Sequence, residues 1–124
     1  MSQDEPIEGF RARILERKPL RIRGGGSKDF YGGPLAGEVL DTCSHAGIVN
    51  YEPTELVVTA RAGTPLAELE SALAARRQFL ACEPPHFSAA TVGGAVAAGL
   101  SGPRRAAVGS LRDFVLGVKL MDGE

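Results

Sequence analysis

The sequence predicts an α+β fold, or the closely related α/β arrangement, in which short strands and helices alternate. Three patterns support it: apolar residues at helical spacing over 7–17, β-branched runs within 47–60, and a helix-start pattern with an apolar stripe at 64–73. The chain has 124 residues, which corresponds to one small domain or to part of one. Its 16 glycines occur in clusters, which indicates places where the backbone approaches a ligand or another backbone closely.

The first third of the chain is predicted to form one helix and two short strands. The helix covers residues 7–17, because their apolar positions share one face and Pro19 stops the helix. The strands cover residues 20–23 and 38–41, with a turn at 30–34 between them. The first strand leads directly into three successive glycines.

The middle of the chain is predicted to form a β-hairpin. Residues 47–51 and 56–60 both contain β-branched side chains, which favour strands. Residues 52–55 join them in a four-residue loop with Pro53 at a turn-favoured position. The two strands are therefore expected to pair with each other.

A second helix is predicted after the hairpin. Thr64 is a favourable N-cap residue, and Pro65 suits the first helical position. Leu66, Leu69 and Leu73 then make one apolar stripe at helical spacing. The pattern therefore predicts an amphipathic helix.

The last third of the chain contains the least regular patterns. Residues 79–81 are predicted to be a brief strand, and the two prolines within 83–86 predict a rigid extended segment. Residues 91–102 have mostly small side chains and are predicted to be a helix whose backbone can lie very close to a neighbour. Residues 113–121 are predicted to be a strand followed by a turn. Because such a turn normally leads to a hairpin partner, the sequence is expected to be a fragment cut in mid-sheet.

Composition and charge disfavour several classes of function. The net charge is −1, so nucleic acid is not an expected partner. No apolar run reaches the roughly 18 residues of a membrane span, and the acidic N-terminus is not a signal peptide. Cys43 and Cys82 make no C-x-x-C pair and are interpreted as free thiols of a cytosolic protein, with one disulfide as the alternative. No metal site is predicted.

A glycine-rich loop at residues 24–26 is the first candidate site. Its N–H groups can converge on one anion, because glycine reaches conformations closed to other residues. The flanking side chains add positive charge and a hydroxyl donor. The alternative is a flexible surface turn, because neither the Walker pattern nor G-x-G-x-x-G is present. The candidate anion-binding residues are Arg23, Gly24, Gly25, Gly26, Ser27 and Lys28.

A second glycine cluster within residues 91–94 favours the ligand interpretation. Two such clusters, separated by a hairpin and a helix, suggest one elongated ligand that is held at two places. Residues 23–28 would hold a diphosphate, and the second cluster would lie against a flat group, with Thr91 and the glycine amides as donors. Gly109 and the pair Arg112-Asp113 would meet a third part of the ligand.

Together these elements resemble the FAD domain of flavoproteins of the vanillyl-alcohol oxidase type, also called the PCMH type. The similarity runs from about Leu20 to the end of the chain and rests on four motifs. The motifs are Arg-Gly-Gly-Gly-Ser-Lys at 23–28, Leu-Val-Val-Thr-Ala-Arg-Ala-Gly at 56–63, Thr-Val-Gly-Gly at 91–94 with Gly99 after it, and Gly-Ser-Leu-Arg-Asp-Phe-Val-Leu-Gly-Val-Lys-Leu-Met-Asp-Gly at 109–123. The resemblance implies an FAD fold of two α/β subdomains, the first at about 1–81 and the second, incomplete here, at about 88–124.

FAD is the cofactor that this resemblance implies. Some members attach FAD covalently through a histidine in the first glycine loop, but here the loop ends with Ser27 and Lys28, so FAD is expected to be non-covalent. The family's substrate domain follows the FAD domain, so no catalytic residue is assigned. The residues expected to contact FAD are Arg23, Gly24, Gly25, Gly26, Ser27, Lys28, Pro84, Thr91, Val92, Gly93, Gly94, Gly99, Gly109, Asp113 and Val115.

Within the family, residues 47–56, 82–86 and 99–105 are similar to the FAD-binding subunits of bacterial glycolate oxidases. This similarity implies oxidation of glycolate to glyoxylate, with electrons passed on through a second flavoprotein subunit and an iron–sulfur subunit. It implies a cytoplasmic protein, either free or held peripherally at the inner membrane. Two alternatives stay open: an FAD-dependent dehydrogenase of another 2-hydroxyacid such as D-lactate, and a non-catalytic assembly subunit of the same fold.

Three further polar residues have less specific interpretations. His86 is expected either near the flavin ring or at the surface, and His45 is interpreted as structural or exposed because it has no recognisable partner. Ser27 with a histidine and an aspartate would suggest a hydrolase triad, but the sequence contains no G-x-S-x-G elbow. Nucleophilic catalysis is therefore disfavoured.

Overall fold

The computed structural model describes residues 5–26, 37–81, 90–99 and 114–121. Helices and strands are mixed along these residues, as the sequence predicts. In chain order the elements are helix α1 (Glu5–Leu15), strands β1 (Leu20–Arg23), β2 (Glu38–Asp41) and β3 (Ile48–Glu52), a 3₁₀ turn (Pro53–Glu55), strand β4 (Val57–Ala60), and helices α2 (Leu66–Ala74) and α3 (Val92–Ala98).

Strands β1 and β2 have the predicted bounds and pair in parallel. The register runs from Leu20 opposite Glu38 to Arg23 opposite Asp41. The carboxyl ends of both strands therefore point to the same edge of this small sheet. The loop that follows each strand starts at that edge, which is where open α/β sheets bind their ligands.

Helix α1 begins and ends two residues before the predicted bounds and is attached to β2. The Arg13 guanidinium donates from Nη2 to the Val39 carbonyl at 3.0 Å and forms a 3.5 Å ion pair with Glu38. Past the helix end, Arg17 has a φ of 58° and donates its N–H to the Ile14 carbonyl at 3.1 Å. This left-handed residue ends the helix before Pro19 is reached.

The predicted hairpin is confirmed: β3 and β4 pair antiparallel, with an irregularity between Ile48 and Asn50. The turn between them is held by side-chain hydrogen bonds from beyond α2. The Gln78 amide donates from Nε2 to the Pro53 carbonyl at 2.9 Å, and its Oε1 accepts from the Tyr51 hydroxyl. These bonds fix the hairpin tip against the C-terminal end of α2.

Helix α2 supplies three of the four buried residues in the main hydrophobic cluster of the described residues. Leu66, Leu69 and Leu73 are each at most 5% exposed, so the predicted apolar stripe faces inward as expected. Full burial of one leucine side chain contributes roughly 1.5–3 kcal/mol. Buried Ala90 belongs to the same cluster, and partly buried side chains complete it: Ile48, Tyr51, Val58, Leu80 and Val92.

The predicted start of α2 is wrong by one residue. Pro65 is the N-cap residue, and no side chain caps the helix. Thr64 is not the cap, because its hydroxyl is buried and bonds instead to the backbone of Gly47. A buried hydroxyl needs a hydrogen-bond partner, and the partner of Thr64 lies in the loop before β3.

Two predicted strands are not formed by the described residues of their segments, 79–81 and 114–121. Phe79 and Leu80 are irregular, and Phe79 is 65% exposed, because the chain leaves α2 through a turn at 75–77 and Gln78 bonds to the hairpin. Residues 115–121 are also irregular. An extended run becomes a strand only when a neighbour takes its hydrogen bonds, and neither described sheet includes this segment. The predicted extended segment at 83–86 lies outside the described residues.

The small-residue helix is confirmed as α3 over residues 92–98. Thr91 is its N-cap, with the hydroxyl accepting a 3.2 Å hydrogen bond from the Gly94 N–H, and Gly99 ends it at a φ of 66°. The helix is therefore shorter than the predicted range 91–102, because the left-handed Gly99 stops it; residues 100–102 lie outside the described residues. The division into subdomains at about 81 and 88 stays a prediction; Thr91 forms a bridge with Pro65 across it.

Candidate functional site

The glycine loop emerges at the carboxyl edge of the parallel strands and is tied to the loop after β2. The Arg23 carbonyl, at the end of β1, accepts from the Thr42 N–H at 2.9 Å and from the Thr42 hydroxyl at 3.3 Å. Gly24, Gly25 and Gly26 follow directly, and all three are partly buried. The loop is therefore anchored at its start rather than being a free surface turn.

The structure brings the two glycine clusters into contact. A Cβ atom built on Gly24 would lie 2.6 Å from the Thr91 Oγ1 atom and 3.2 Å from Thr91 Cγ2. Real Cβ atoms do not approach other atoms so closely, so only glycine fits beside Thr91. The two places that the sequence analysis treats separately thus form one continuous surface.

The N–H groups at the start of α3 already have partners within the chain. Val92 donates to the Thr64 carbonyl at 2.9 Å, Gly93 to the Ala62 carbonyl at 2.8 Å, and Gly94 to the Thr91 hydroxyl. In this conformation these amides are not open donors, contrary to the role suggested by the sequence. Contact of these residues with FAD stays a prediction.

Gly93 shows the close packing that the small side chains of residues 91–102 predict. A Cβ atom on Gly93 would lie 2.8 Å from the Cβ atom of Ala62 and 2.9 Å from the Ala62 carbonyl oxygen. The missing side chain lets the helix start lie directly on the turn at 61–64. Small residues in α3 therefore serve backbone-to-backbone packing at this point.

The Arg23 guanidinium lies over the glycine loop. Gly26 has a φ of 74°, and a Cβ atom there would collide with the guanidinium. Asp41 ends the neighbouring strand. The Cys43 N–H donates to Asp41 Oδ1 at 2.9 Å and lowers the pKa of that carboxyl, with a smaller contribution from Arg23. The site edge thus carries one guanidinium and one carboxylate that stays ionised.

Cys43 and His45 lie in the loop after β2. Cys43 is a free, exposed thiol, as predicted, and its pKa is raised by local desolvation and by the neighbouring Asp41.

The Nδ1 atom of His45 is buried without a hydrogen-bond partner among the described residues, and its ring meets Phe10 edge-on at 6.3 Å. Burial and the charge of Arg61 lower the pKa of His45, so its neutral form is favoured. These contacts agree with the structural interpretation of His45.

The turn at 61–64 holds the site together, although its residues were not among the sequence-predicted site residues. A Cβ atom on Gly63 would lie 2.7 Å from the His45 carbonyl oxygen and still closer to that of Thr42. The Gly63 N–H donates to the His45 carbonyl at 2.8 Å. A single glycine after a β-branched strand was the available signal, since it marks a close backbone approach.

Several predicted FAD contacts can be located, and others cannot. Gly99 lies at the opposite end of α3 from Thr91, and Val115 is partly buried in an irregular segment. No group of three His, Cys, Asp or Glu side chains in the described ranges could hold a metal ion. The predicted site residues outside the described ranges are Ser27, Lys28, Pro84, Gly109 and Asp113.

Comparison with known proteins decides the family. The family described as FAD binding domain matches residues 12–124, which is most of the chain. The chain belongs to this family of FAD-binding domains. Membership confirms FAD as the cofactor and confirms the predicted mixed α+β class of the PCMH type.

One similar protein is Glycolate oxidase subunit GlcE of Escherichia coli (strain K12). It is 53% identical to this FAD-binding domain over 118 residues, which is 94% of this chain and 34% of the relative. The chain therefore spans about a third of the length of that protein. No solved structure matches the chain significantly.

The residues around Gly24 fit a dinucleotide cofactor. The fitting features are backbone at Gly24 that has no room for a side chain, the left-handed backbone of Gly26, and a guanidinium held over the same loop. Guanidinium and backbone N–H groups are the donors that diphosphates prefer.

None of the described helices is long and apolar enough to cross a membrane.

Proposed function

We propose that this chain is the FAD-binding part of a glycolate oxidase subunit, which oxidises glycolate to glyoxylate. The proposal rests on membership of the FAD-binding family and on 53% identity to a glycolate oxidase subunit. One structural observation supports it most directly: the contact of Gly24 with Thr91 at the carboxyl edge of β1 and β2. That contact joins both glycine clusters into one surface of the kind that a dinucleotide needs.

Each part of this surface has a proposed role toward FAD. Residues 23–28 hold the diphosphate: Arg23 and Lys28 supply positive charge, and Gly24–Gly26 supply closely approaching backbone. Residues 91–94 form a close, flat wall rather than a set of donors, because the amides of Val92, Gly93 and Gly94 are bonded within the chain. FAD binds non-covalently, since the first glycine loop contains no histidine.

FAD, when bound, supplies the chemistry that takes two electrons from the hydroxyacid, and the chain supplies binding and orientation. Gly109, Asp113 and the remaining predicted contacts would complete the cofactor site. The substrate is a 2-hydroxyacid, and the proposed partners are a second flavoprotein subunit and an iron–sulfur subunit. The assembly is cytoplasmic, either free or held at the inner membrane surface.

Flavin binding is tested on the protein at its native length, purified with any subunits that accompany it. The expected result is a yellow preparation from which acid releases FAD, because the cofactor is not covalently held. Gly24→Val should lower the flavin content about tenfold or more, because the larger side chain collides with Thr91. Gly9→Ala is the matched control: a Cβ atom at Gly9 meets no atom within 4 Å, so the flavin content should not change.

Substrate reduction separates the remaining alternatives. Anaerobic glycolate should bleach the flavin absorbance faster than D-lactate does. If D-lactate bleaches the flavin faster, D-lactate and not glycolate is the substrate. A preparation that stays colourless and takes up no added FAD, yet purifies with its partner subunits, would support the non-catalytic assembly role instead.

A further inference from the structure

Every polar atom of Thr64 takes part in a hydrogen bond. Its side chain is fully buried, with 0% exposure of the residue. The hydroxyl accepts from the Gly47 N–H at 2.9 Å and donates to the Gly47 carbonyl at 3.1 Å. On the main chain, its N–H donates to the Arg61 carbonyl at 3.0 Å, and its carbonyl accepts from the Val92 N–H at 2.9 Å.

These bonds place Thr64 between two loops and the start of α3. Gly47 ends the loop that follows β2, and that loop holds the end of β1 through the bonds from Thr42 to Arg23. On its other side, Thr64 holds the first N–H of α3. Its side chain therefore holds the loop beside the glycine segment, and its backbone carbonyl holds the helix that contacts the same segment.

The contacts form a closed ring that includes the glycine loop and the start of α3. One half runs from Gly24 to Thr91 and across the bridge to Pro65. The other half runs from Thr64 to Gly47 and through the loop at 42–47 back to the end of β1. Hydrogen bonds that belong to one network can stabilise it by more than the sum of their separate contributions. Backbone bonds from Gly63 to His45 and from Arg61 to Gly47 also join these two segments, and Thr64 contributes the side-chain hydrogen bonds between them.

We propose that Thr64 is a positioning residue that sets the start of α3 against the glycine loop. It touches no cofactor in this role and acts through Val92 and Thr91. The effect of Thr64 on FAD affinity rests on the function proposed above. Its effect on the position of the start of α3 does not. The chemistry predicts a requirement for a hydroxyl, because an apolar side chain of the same shape leaves the Gly47 N–H without a partner.

Three variants of the native-length protein test this role. Thr64→Val keeps the shape and removes both hydroxyl bonds, and Thr64→Ser keeps the hydroxyl and removes only a methyl group. Tyr51→Phe is the matched control: it also removes one side-chain hydroxyl, but at the opposite ends of β3 and α2, where Tyr51 bonds to Gln78. If Thr64→Val does not accumulate in folded form, Thr64→Ala replaces it in the comparison. The smaller alanine side chain leaves room for a water molecule beside the Gly47 N–H, so this variant is easier to fold.

Amide hydrogen exchange of residues 91–95 reports the helix start without any need for flavin. Thr64→Val should speed exchange of the Val92 and Gly93 amides by about tenfold, and Thr64→Ser should stay close to wild type. Tyr51→Phe should leave these amides unchanged. In parallel, FAD titration should show binding weakened by about tenfold in Thr64→Val and little changed in the other two variants.

The two readouts distinguish the possible failures. Unchanged exchange in Thr64→Val, equal acceleration in Tyr51→Phe, or no rescue by serine would overturn the positioning role. Faster exchange with unaltered FAD affinity would show that the placement of α3 does not matter to the cofactor. A wild-type protein that binds no FAD would reject the proposed function, while the exchange result would still decide the role of Thr64 at the helix.

Discussion

Gly24 and Thr91 lie so close together that a methyl group on Gly24 would stand 2.6 Å from the Thr91 hydroxyl oxygen. Thr91 cannot easily turn away, because its hydroxyl caps α3 through the Gly94 N–H and the residue is 5% exposed. The close packing of the glycine loop against α3 therefore depends on the missing side chain of Gly24 and on the fixed hydroxyl of Thr91.

This fit predicts a compensating pair of substitutions. Gly24→Ala alone should weaken FAD binding, because the new methyl group pushes the glycine loop away from α3. Adding Thr91→Ala removes both Oγ1 and Cγ2, and the nearest remaining Thr91 atom, Cβ, is 3.5 Å from the new methyl group. The double variant should therefore bind FAD more tightly than Gly24→Ala does, as measured by flavin titration.

The single Thr91→Ala substitution completes this cycle. It should destabilise the protein by about 1 kcal/mol through loss of the helix cap, which urea denaturation measures. A double variant that binds FAD no better than Gly24→Ala would show that the loop does not rest on Thr91. Gly9→Ala should behave as wild type in the same titration.

Gly63 gives the sharpest stability prediction in the turn at 61–64. A methyl group on Gly63 would collide with the Thr42 carbonyl oxygen and lie 2.7 Å from that of His45, and both are backbone atoms that cannot rotate aside. Gly63→Ala should therefore cost about 3 kcal/mol of unfolding free energy, or prevent folding. Urea denaturation followed by circular dichroism measures the change.

The control for this prediction is a glycine with free space around it. Gly9→Ala lies in α1 with no atom within 4 Å of the new methyl group, so it should gain about 0.5–1 kcal/mol from helix propensity. Similar unfolding free energies for the two variants would contradict the close approach of the turn to the loop at 42–45.

Local patterns determined the bounds of elements that have turn-forming or helix-breaking residues at their ends. Strand β1 has the predicted bounds because Pro19 and the glycines border it on both sides. Thr64 was misinterpreted for the same reason: its favourable N-cap identity is local, whereas its real partner, Gly47, is 17 residues away. Residues 113–121 have a strand-like sequence, but a strand also needs a neighbour, which the segment's own residues cannot specify.

The candidate site was predictable in its parts but not in its assembly. The clusters at 24–26 and 91–94 stand out because glycines are dense there. Their direct contact was not predictable, because it depends on Ala62 and Thr64, which hold α3 in place through backbone bonds. Any residue offers the backbone carbonyl that accepts such a bond, so the sequence carries no side-chain signal for the backbone bonds themselves.

His45 predicts a pH dependence of stability just below neutrality. Its pKa is lowered in the folded protein by burial and by Arg61, so the unfolded chain binds the proton more readily than the folded one. The stabilising effect of the neutral ring is complete above the ordinary histidine pKa of 6.5 and is lost as the pH falls below it. Thermal unfolding between pH 7.5 and 5.5 should show this decline.

His45→Leu isolates this contribution. Leucine suits the apolar contact with Phe10 and does not titrate, so the variant should lose less stability than wild type over the same pH range. Other groups titrate equally in both proteins, and the difference between the two curves belongs to His45. Parallel curves would mean that the folded protein accepts the proton on His45 as readily as the unfolded chain does.

Leu56 predicts a gain in stability at the hairpin tip. It has a φ of 58°, a left-handed conformation that costs a leucine roughly 1 kcal/mol, and it is 77% exposed, so little packing is lost on its removal. Leu56→Gly should therefore raise the unfolding free energy by about 0.5 kcal/mol in urea denaturation. Glu55→Gly, one residue earlier at a position without a positive φ, should lower it instead, because glycine there only adds freedom to the unfolded chain. The opposite signs at neighbouring positions make the pair decisive: losses at both would show that Leu56 is not held left-handed in solution.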